Sequence, residues 1–193
     1  MTINRALREL TEEGLLVRRR RAGTFVAQPN APTAILKIVD MSSAIPERGE
    51  SYGYECEVNE TIPAPDDIAR HMRLPHGSRV QHLVCLHTAD GNPVELEERW
   101  INLALLPEAA HADYGAEAPG SWLLRAAPWT EAEHTVSAVN ADRTLARALG
   151  VKTGEACLVL ERRTFQDDAV VTYARLAHPG TRHKMTERFG PGR

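Results

Sequence analysis

The chain has 193 residues, 42% of them apolar, 25% charged and 5% aromatic, the composition of a globular protein with room for one ordinary domain and a smaller companion. No apolar run approaches the ~20 residues of a membrane-spanning helix, and the N-terminal MTINRALREL is amphipathic rather than a signal-peptide core, so a cytoplasmic location is expected. The net charge of −3 hides an asymmetry: residues 1–30 hold six arginines against three glutamates, while the remainder is acidic, so a polyanion contact is expected at the N-terminal end. Three separated cysteines, Cys56, Cys85 and Cys157, form no C-x-x-C and argue against a disulfide framework or a thiolate zinc site.

Ile3, Ala6, Leu7 and Leu10 follow the i, i+3, i+4, i+7 spacing of one helix face, and Gly14 supplies the stop. Leu15-Leu16-Val17 and Thr24-Phe25-Val26 read as two short strands, with Ala22-Gly23 as their turn and four consecutive arginines near the tip. A helix followed by a basic-tipped hairpin is the arrangement that ends a winged helix-turn-helix, with the helix in the DNA major groove and the wing on phosphates or the minor groove. The candidate DNA contacts are Thr2, Asn4, Arg5 and Arg8 on the helix and Arg20, Arg21, Gly23 and Thr24 on the wing. Residues 1–27 therefore read as a partial DNA-binding domain, 28–34 (QPNAPTA) as a linker, 35–189 as the main domain and 190–193 as a tail.

The main domain alternates strands and helices. Strand signals cover 35–39, 52–62, 80–87 and 93–101, a short helix covers 65–72, and Ala89-Asp90-Gly91-Asn92 reads as a turn. The second half repeats the first: DIARHMRLPHGSRVQHLVCLHTADGNPVELEERW lies over RTLARALGVKTGEACLVLERRTFQDDAVVTYARLA without gaps, matching Gly77 to Gly154 and Asp90 to Asp167. The fold class is α+β, with a central antiparallel sheet built from two equivalent halves. The seam between such halves is a common place for a ligand cleft.

Within the hairpins, Val94, Leu96, Glu98 and Trp100 share one strand face, and Glu95, Glu97, Arg99 and Ile101 the other. Val171, Tyr173 and Arg175 share a face in the second repeat, with Ala174 and Leu176 opposite, and TEAEHTVSAV (130–139) alternates polar and apolar positions. No G-x-S-x-G, H-E-x-x-H or phosphate loop is present. His71, His76, His82 and His87 fit no common zinc spacing, so neither a metal site nor a cofactor is expected.

TINRALRELTEEGLLVRRRRAGTFVA resembles the recognition helix and wing of GntR-type bacterial repressors. VELEERWINLALLPEA, APGSWLLRAAPWTEAEHTVSAV, ALGVKTGEACLVLERRTF and VVTYARLAHPGTRHKM resemble the effector-binding UTRA domain of the HutC branch of that family, whose fold is chorismate-lyase-like. The resemblance implies a repressor of histidine-breakdown genes, released from its operator by urocanate, working as a homodimer and not an enzyme. Two helices, a strand and a Ser-Arg pair that precede the recognition helix in that family have no counterpart here, so operator binding by these 193 residues is expected to be weakened or lost. Urocanate carries a carboxylate and an imidazole. Arg99 and Arg175, one from each repeat, are expected to fork the carboxylate, with Ser121 beside it. Glu97, Glu133 and His87 are expected to meet the imidazole, Tyr173 to flank the ring, and His178 to stand at the strand end. The alternatives are a UTRA sensor for another metabolite, such as a sugar phosphate, and a chorismate-lyase-like enzyme.

Overall fold

Glycine and aspartate punctuate the chain into strands. The computed structural model describes residues 16–19, 23–26, 40–127 and 129–186, and contacts divide the chain into two units, 1–37 with 187–193 and 38–186. In the first unit, strands β1 (Leu16–Arg19) and β2 (Gly23–Val26) pair antiparallel, Leu16 opposite Val26 and Arg19 opposite Gly23. The backbone ribbon thus runs further into the arginines than the apolar pattern predicts. Gly23 and Thr24 stand on β2 opposite Arg19 and Arg18. The predicted recognition helix, Thr2, Asn4, Arg5, Arg8, Arg20 and Arg21, the linker and the strand expected at 35–39 lie outside the described residues.

The second unit opens with a short helix, α1 (Met41–Ala44), capped by Asp40, whose carboxylate accepts from the Ser42 amide at 3.0 Å. Then the same strand–helix–strand–strand unit appears twice. The first copy is β3 (Tyr52–Pro63), α2 (Asp66–His71), β4 (Arg79–Ala89) and β5 (Asn92–Asn102). A further helix, α3 (Pro119–Ala126), links it to β6 (Glu131–Asn140), α4 (Arg143–Leu149), β7 (Ala156–Gln166) and β8 (Ala169–Pro179). The sheet order is β3-β4-β5-β8-β7-β6, every neighbour antiparallel, so the two copies meet at the β5–β8 seam. Asp90 and Gly91 both take positive φ, 49° and 76°, the two-residue turn that matches strand twist. Asp167 repeats this in the second copy at φ 53°.

The sheet buries both faces. Ile68 and Met72, in and just after α2, pack with Val80, Trp100, Phe165 and Tyr173 on what we call the back face. Leu145 and Leu149 of α4 pack with Val159 and Ala177 on the same face. The α4 helix is held at both ends, by Asp142 accepting from the Leu145 amide at 2.8 Å and by Gly150 in the left-handed conformation at φ 61°. The front face carries Leu83, Cys85 and Ile101 under Leu123 of α3, with Tyr114 beside them. Full burial of each such aliphatic side chain contributes about 1.5–3 kcal/mol. No described helix is long and apolar enough to cross a membrane.

On the back face His82 lies against Trp100, ring centroids 5.2 Å apart, and its two nitrogens stand 3.2 Å from Glu98 and 3.3 Å from Glu60. The hydrogen bond to Glu98 raises the His82 pKa; burial opposes this, and Glu60 adds to the rise. A raised folded-state pKa stabilises fully below the ordinary value of about 6.5 and loses that contribution as pH climbs through the folded value. His82→Gln is expected to cost about 0.5–1 kcal/mol at pH 6 and to shrink the fall in stability between pH 6 and pH 8. Urea unfolding at both pH values checks this; an unchanged pH slope in the variant means that His82 carries none of it.

Candidate functional site

Strand alternation places Glu95, Glu97 and Arg99 of β5 together on the front face, and all three are buried, at 4%, 2% and 3% exposure. The neighbouring strands complete the cluster. His87 on β4 stands opposite Glu95, Arg99 stands opposite Ala174 on β8, and Ala174 stands opposite Arg162 on β7. His87, His178, Arg162, Thr164 and Thr172 are buried as well. Desolvating a charge costs several kcal/mol unless partners compensate it, so this density of buried ionisable groups on one face is not a packing solution.

Most of the groups have partners. Arg99 Nε donates to Glu97 Oε1, and its Nη1 donates to Thr172 Oγ1 at 3.1 Å. The other Glu97 oxygen stands 3.1 Å from His87 Nε2, and Tyr52 Oη stands 3.0 Å from His87 Nδ1. Glu95 lies between two imidazoles, 3.7 Å from His87 Nε2 and 3.5 Å from His178 Nε2. His178 Nδ1 donates a hydrogen bond to the Val94 carbonyl at 3.1 Å, which leaves Nε2 bare toward Glu95. Arg162 Nε donates to His134 Nε2 at 2.9 Å, and among the described residues no carboxylate stands within salt-bridge distance of Arg162.

The electrostatics follow from this geometry. Burial pushes the Glu97 carboxyl upward, but Arg99 and His87 outweigh it and hold the group down at about 2. Burial raises Glu95 to about 7, with His87 opposing and the Glu97 charge adding. Burial, with His183 adding, lowers His178 to about 3, so it stays neutral. Burial and then Arg99 lower Arg162 to about 10, against the pull of Glu95 and Glu97. One carboxylate is thus permanently charged and its neighbour carries a proton near neutrality, a division of roles set by environment.

A cleft opens over the cluster, bounded by Asp40, Met41, Ser121 and Leu124 above and by His87, Glu95, Glu97, Arg99 and Arg162 below. A neighbouring hollow shares Arg99 and Arg162 and adds Leu123, Trp129, Thr164 and Thr172. Asp40 ties the roof: its Oδ1 accepts from Ser121 Oγ at 2.9 Å.

Of the residues read from sequence, His87, Glu97, Arg99 and Ser121 line this cleft, and His178 backs it through Glu95. Arg175, Tyr173 and Glu133 do not join them. The register that sets Arg99 opposite Ala174 turns Arg175 to the back face, opposite Glu98 and Glu161. Tyr173 stacks between His71 and Trp100, at 4.8 and 5.6 Å, and donates to Glu161 at 2.5 Å. Glu133 pairs with Arg163. Arg162, and not the expected Arg175, thus stands on the same face as Arg99. Sequence reading missed Arg162, Glu95 and Asp40. Glu95 had a signal, since it shares a face with Glu97 and Arg99, whereas Asp40 had none.

Residues 47–184 match the UTRA domain family. The chain is 39% identical over 189 residues to the histidine utilization repressor of Pseudomonas putida, covering 98% of this chain and 76% of that one. The same repressor of Klebsiella aerogenes is 39% identical over 190 residues, covering 98% and 79%. The chain belongs to the HutC branch of the GntR family of transcriptional regulators. Among solved structures, the C-terminal domain of the histidine utilization repressor from Pseudomonas syringae pv. tomato str. DC3000 superposes with a TM-score of 0.69 at 33% identity, covering 73% of this chain and all of that one. PhnF from Mycobacterium smegmatis does so at 0.71 and 25% identity, covering 98% and 84%. As a HutC-branch GntR protein the chain is a DNA-binding transcriptional repressor with a small-molecule effector, not an enzyme. The α+β fold expected from sequence, an antiparallel UTRA sheet with a few helices, is the fold found.

Proposed function

We propose that the chain represses histidine-utilization genes and that urocanate, bound in the front-face cleft, releases it from operator DNA. The observation that carries this is the buried Arg162, which faces the cleft with no carboxylate in contact among the described residues. A desolvated guanidinium in that setting is a receptor for an anion supplied from outside. Arg162 and Arg99 take the urocanate carboxylate. The imidazole end lies toward His87, Glu95 and Glu97, where a proton-carrying carboxyl and a charged one offer both a donor and an acceptor. Leu124 and Leu176 give the flat molecule apolar walls. The repressor names of the most similar relatives support the same pathway.

In this reading residues 1–27 carry the operator contacts, Thr2, Asn4, Arg5, Arg8, Arg20, Arg21, Gly23 and Thr24 among them, and two chains pair in the cytoplasm to span two half-sites. Urocanate acts by binding one arrangement of the dimer better than the other, with a coupling of ~1–3 kcal/mol. Calorimetry with urocanate, histidine and glucosamine 6-phosphate tests the ligand. Urocanate is expected to bind at one site per chain. Histidine is expected to bind at least ~10-fold more weakly, because its ammonium group meets two arginines. Sugar-phosphate binding with no urocanate binding would replace this reading with the other sensor.

A further inference from the structure

We propose that His87, Glu95 and Glu97 form a binding site for a first-row divalent cation, with zinc(II) as the best fit. The proposal stands on the geometry of the cluster and does not depend on which effector the cleft receives. His87 Nε2, one Glu95 oxygen and one Glu97 oxygen all lie within 4.8 Å of one another. His87 Nε2 is 3.1 Å from Glu97 Oε2 and 3.7 Å from Glu95 Oε1. Tetrahedral bonds of ~2.0–2.1 Å place ligand atoms roughly 3.3 Å apart, and the two separations bracket that spacing. One imidazole with two carboxylates is a borderline donor set that suits zinc better than magnesium or calcium, which prefer oxygen alone.

Two of the three ligands are also held from behind. Tyr52 Oη meets His87 Nδ1 at 3.0 Å, leaving Nε2 to point at the site. Arg99 takes Glu97 Oε1 and leaves Oε2 toward His87. Glu95 directs Oε1 toward His87. Ligands oriented by outer partners in this way are the second half of a metal site. All three also line the cleft, so the fourth coordination position opens toward an incoming molecule. Their order in the sequence hides the pattern: the carboxylates are two residues apart on β5, and the imidazole comes from the strand beside it.

Charge sets the consequence. The cleft is lined by the carboxylates of Asp40, Glu95 and Glu97 and by the guanidinium groups of Arg99 and Arg162, so a dication leaves its formal charge positive. An anion in the cleft offsets that excess, and by linkage cation and anion then favour each other's binding.

Zinc chloride titrated calorimetrically into the full chain, stripped with chelator and dialysed, tests the site. One zinc per chain is expected. His87→Gln and Glu95→Gln are each expected to weaken it at least ~10-fold, Tyr52→Phe about 10-fold through the outer partner, and His82→Ala not at all. Circular dichroism confirms that the variants are folded. No zinc binding at ~100-fold excess overturns the proposal, as does binding that survives in folded His87→Gln and Glu95→Gln, because another set of histidines then holds the ion. Urocanate titrations run in chelator and again with saturating zinc separate the two readings. Urocanate binding without any zinc binding sinks the metal site alone, and zinc binding without urocanate binding sinks the effector alone.

Discussion

Arg162→Ala is expected to weaken urocanate binding by about 30- to 100-fold, the ~2–3 kcal/mol of a charge-assisted hydrogen-bond pair to a carboxylate. Arg175→Ala is expected to leave binding within about twofold. The contrast rests on one step of register. Arg162 stands opposite Ala174, two strands from Arg99 and on the same face, whereas Arg175 projects to the other side of the sheet. The unliganded chain supplies a second readout. Arg162 is buried, its pKa is pushed down by burial and by Arg99, and among the described residues no carboxylate touches it. Its removal relieves repulsion with Arg99, so the free variant is expected to melt no lower than the parent. A side chain retained for packing would show the opposite, a lower melting temperature with binding intact. Arg162→Lys keeps the charge but loses the planar fork, and about a tenfold loss is expected. Calorimetry and thermal melts on the three variants decide it: unchanged binding in Arg162→Ala, or an equal loss in Arg175→Ala, removes Arg162 from the site.

Much of the fold is legible because local chemistry fixes it. Asp90-Gly91, Gly77 with Gly154, and Gly150 mark turns that only a few residue types tolerate, and the 77-residue offset between Gly77 and Gly154 exposes the two halves. The site is legible only as far as strand parity reaches. Glu97 and Arg99 share a face whatever the fold, and His87 joins them once β4 pairs with β5. Parity does not say which face the cleft occupies or how the halves align at the seam. Arg99 and Arg175 look equivalent as one arginine per repeat, yet the β5–β8 register separates them, because a one-residue step turns a side chain to the opposite face. Arg162 and Arg163 are adjacent in sequence and lie on opposite faces for the same reason. Asp40 and Ser121 are 81 positions apart and meet only when α1 and α3 fold over the sheet. Tyr173 reads as a pocket aromatic because its type suits one, but the back face claims it for the stack with Trp100 and His71.

Arg99→Ala is expected to destabilise the unliganded chain by about 3–5 kcal/mol, the cost of stranding one member of a buried ion pair. Glu97, 2% exposed, is held in the charged form by two groups, Arg99 on one oxygen and His87 on the other. Taking away the guanidinium leaves a buried carboxylate with a single imidazole contact and also frees Thr172 Oγ1 from the arginine. Refilling by water moderates the loss, and His87 retains part of the charge balance, so the lower half of the range is the better expectation. At the ~2–4 °C per kcal/mol usual for a chain of this length, the melting temperature falls by about 6–15 °C. The double variant Arg99→Met with Glu97→Gln separates the pair from its cavity. It keeps the volume and removes both charges, and it is expected to recover at least half of the loss, because an uncharged pair needs no partner in a dry site. Urea unfolding of Arg99→Met, Glu97→Gln and the double variant gives the coupling directly. A loss under about 1 kcal/mol in Arg99→Ala means that the carboxylate is already solvated from the cleft, and then the low pKa of Glu97 owes more to water than to Arg99. A large loss that the double variant does not recover means that the arginine's hydrocarbon stem, rather than its charge, fills the space under α3.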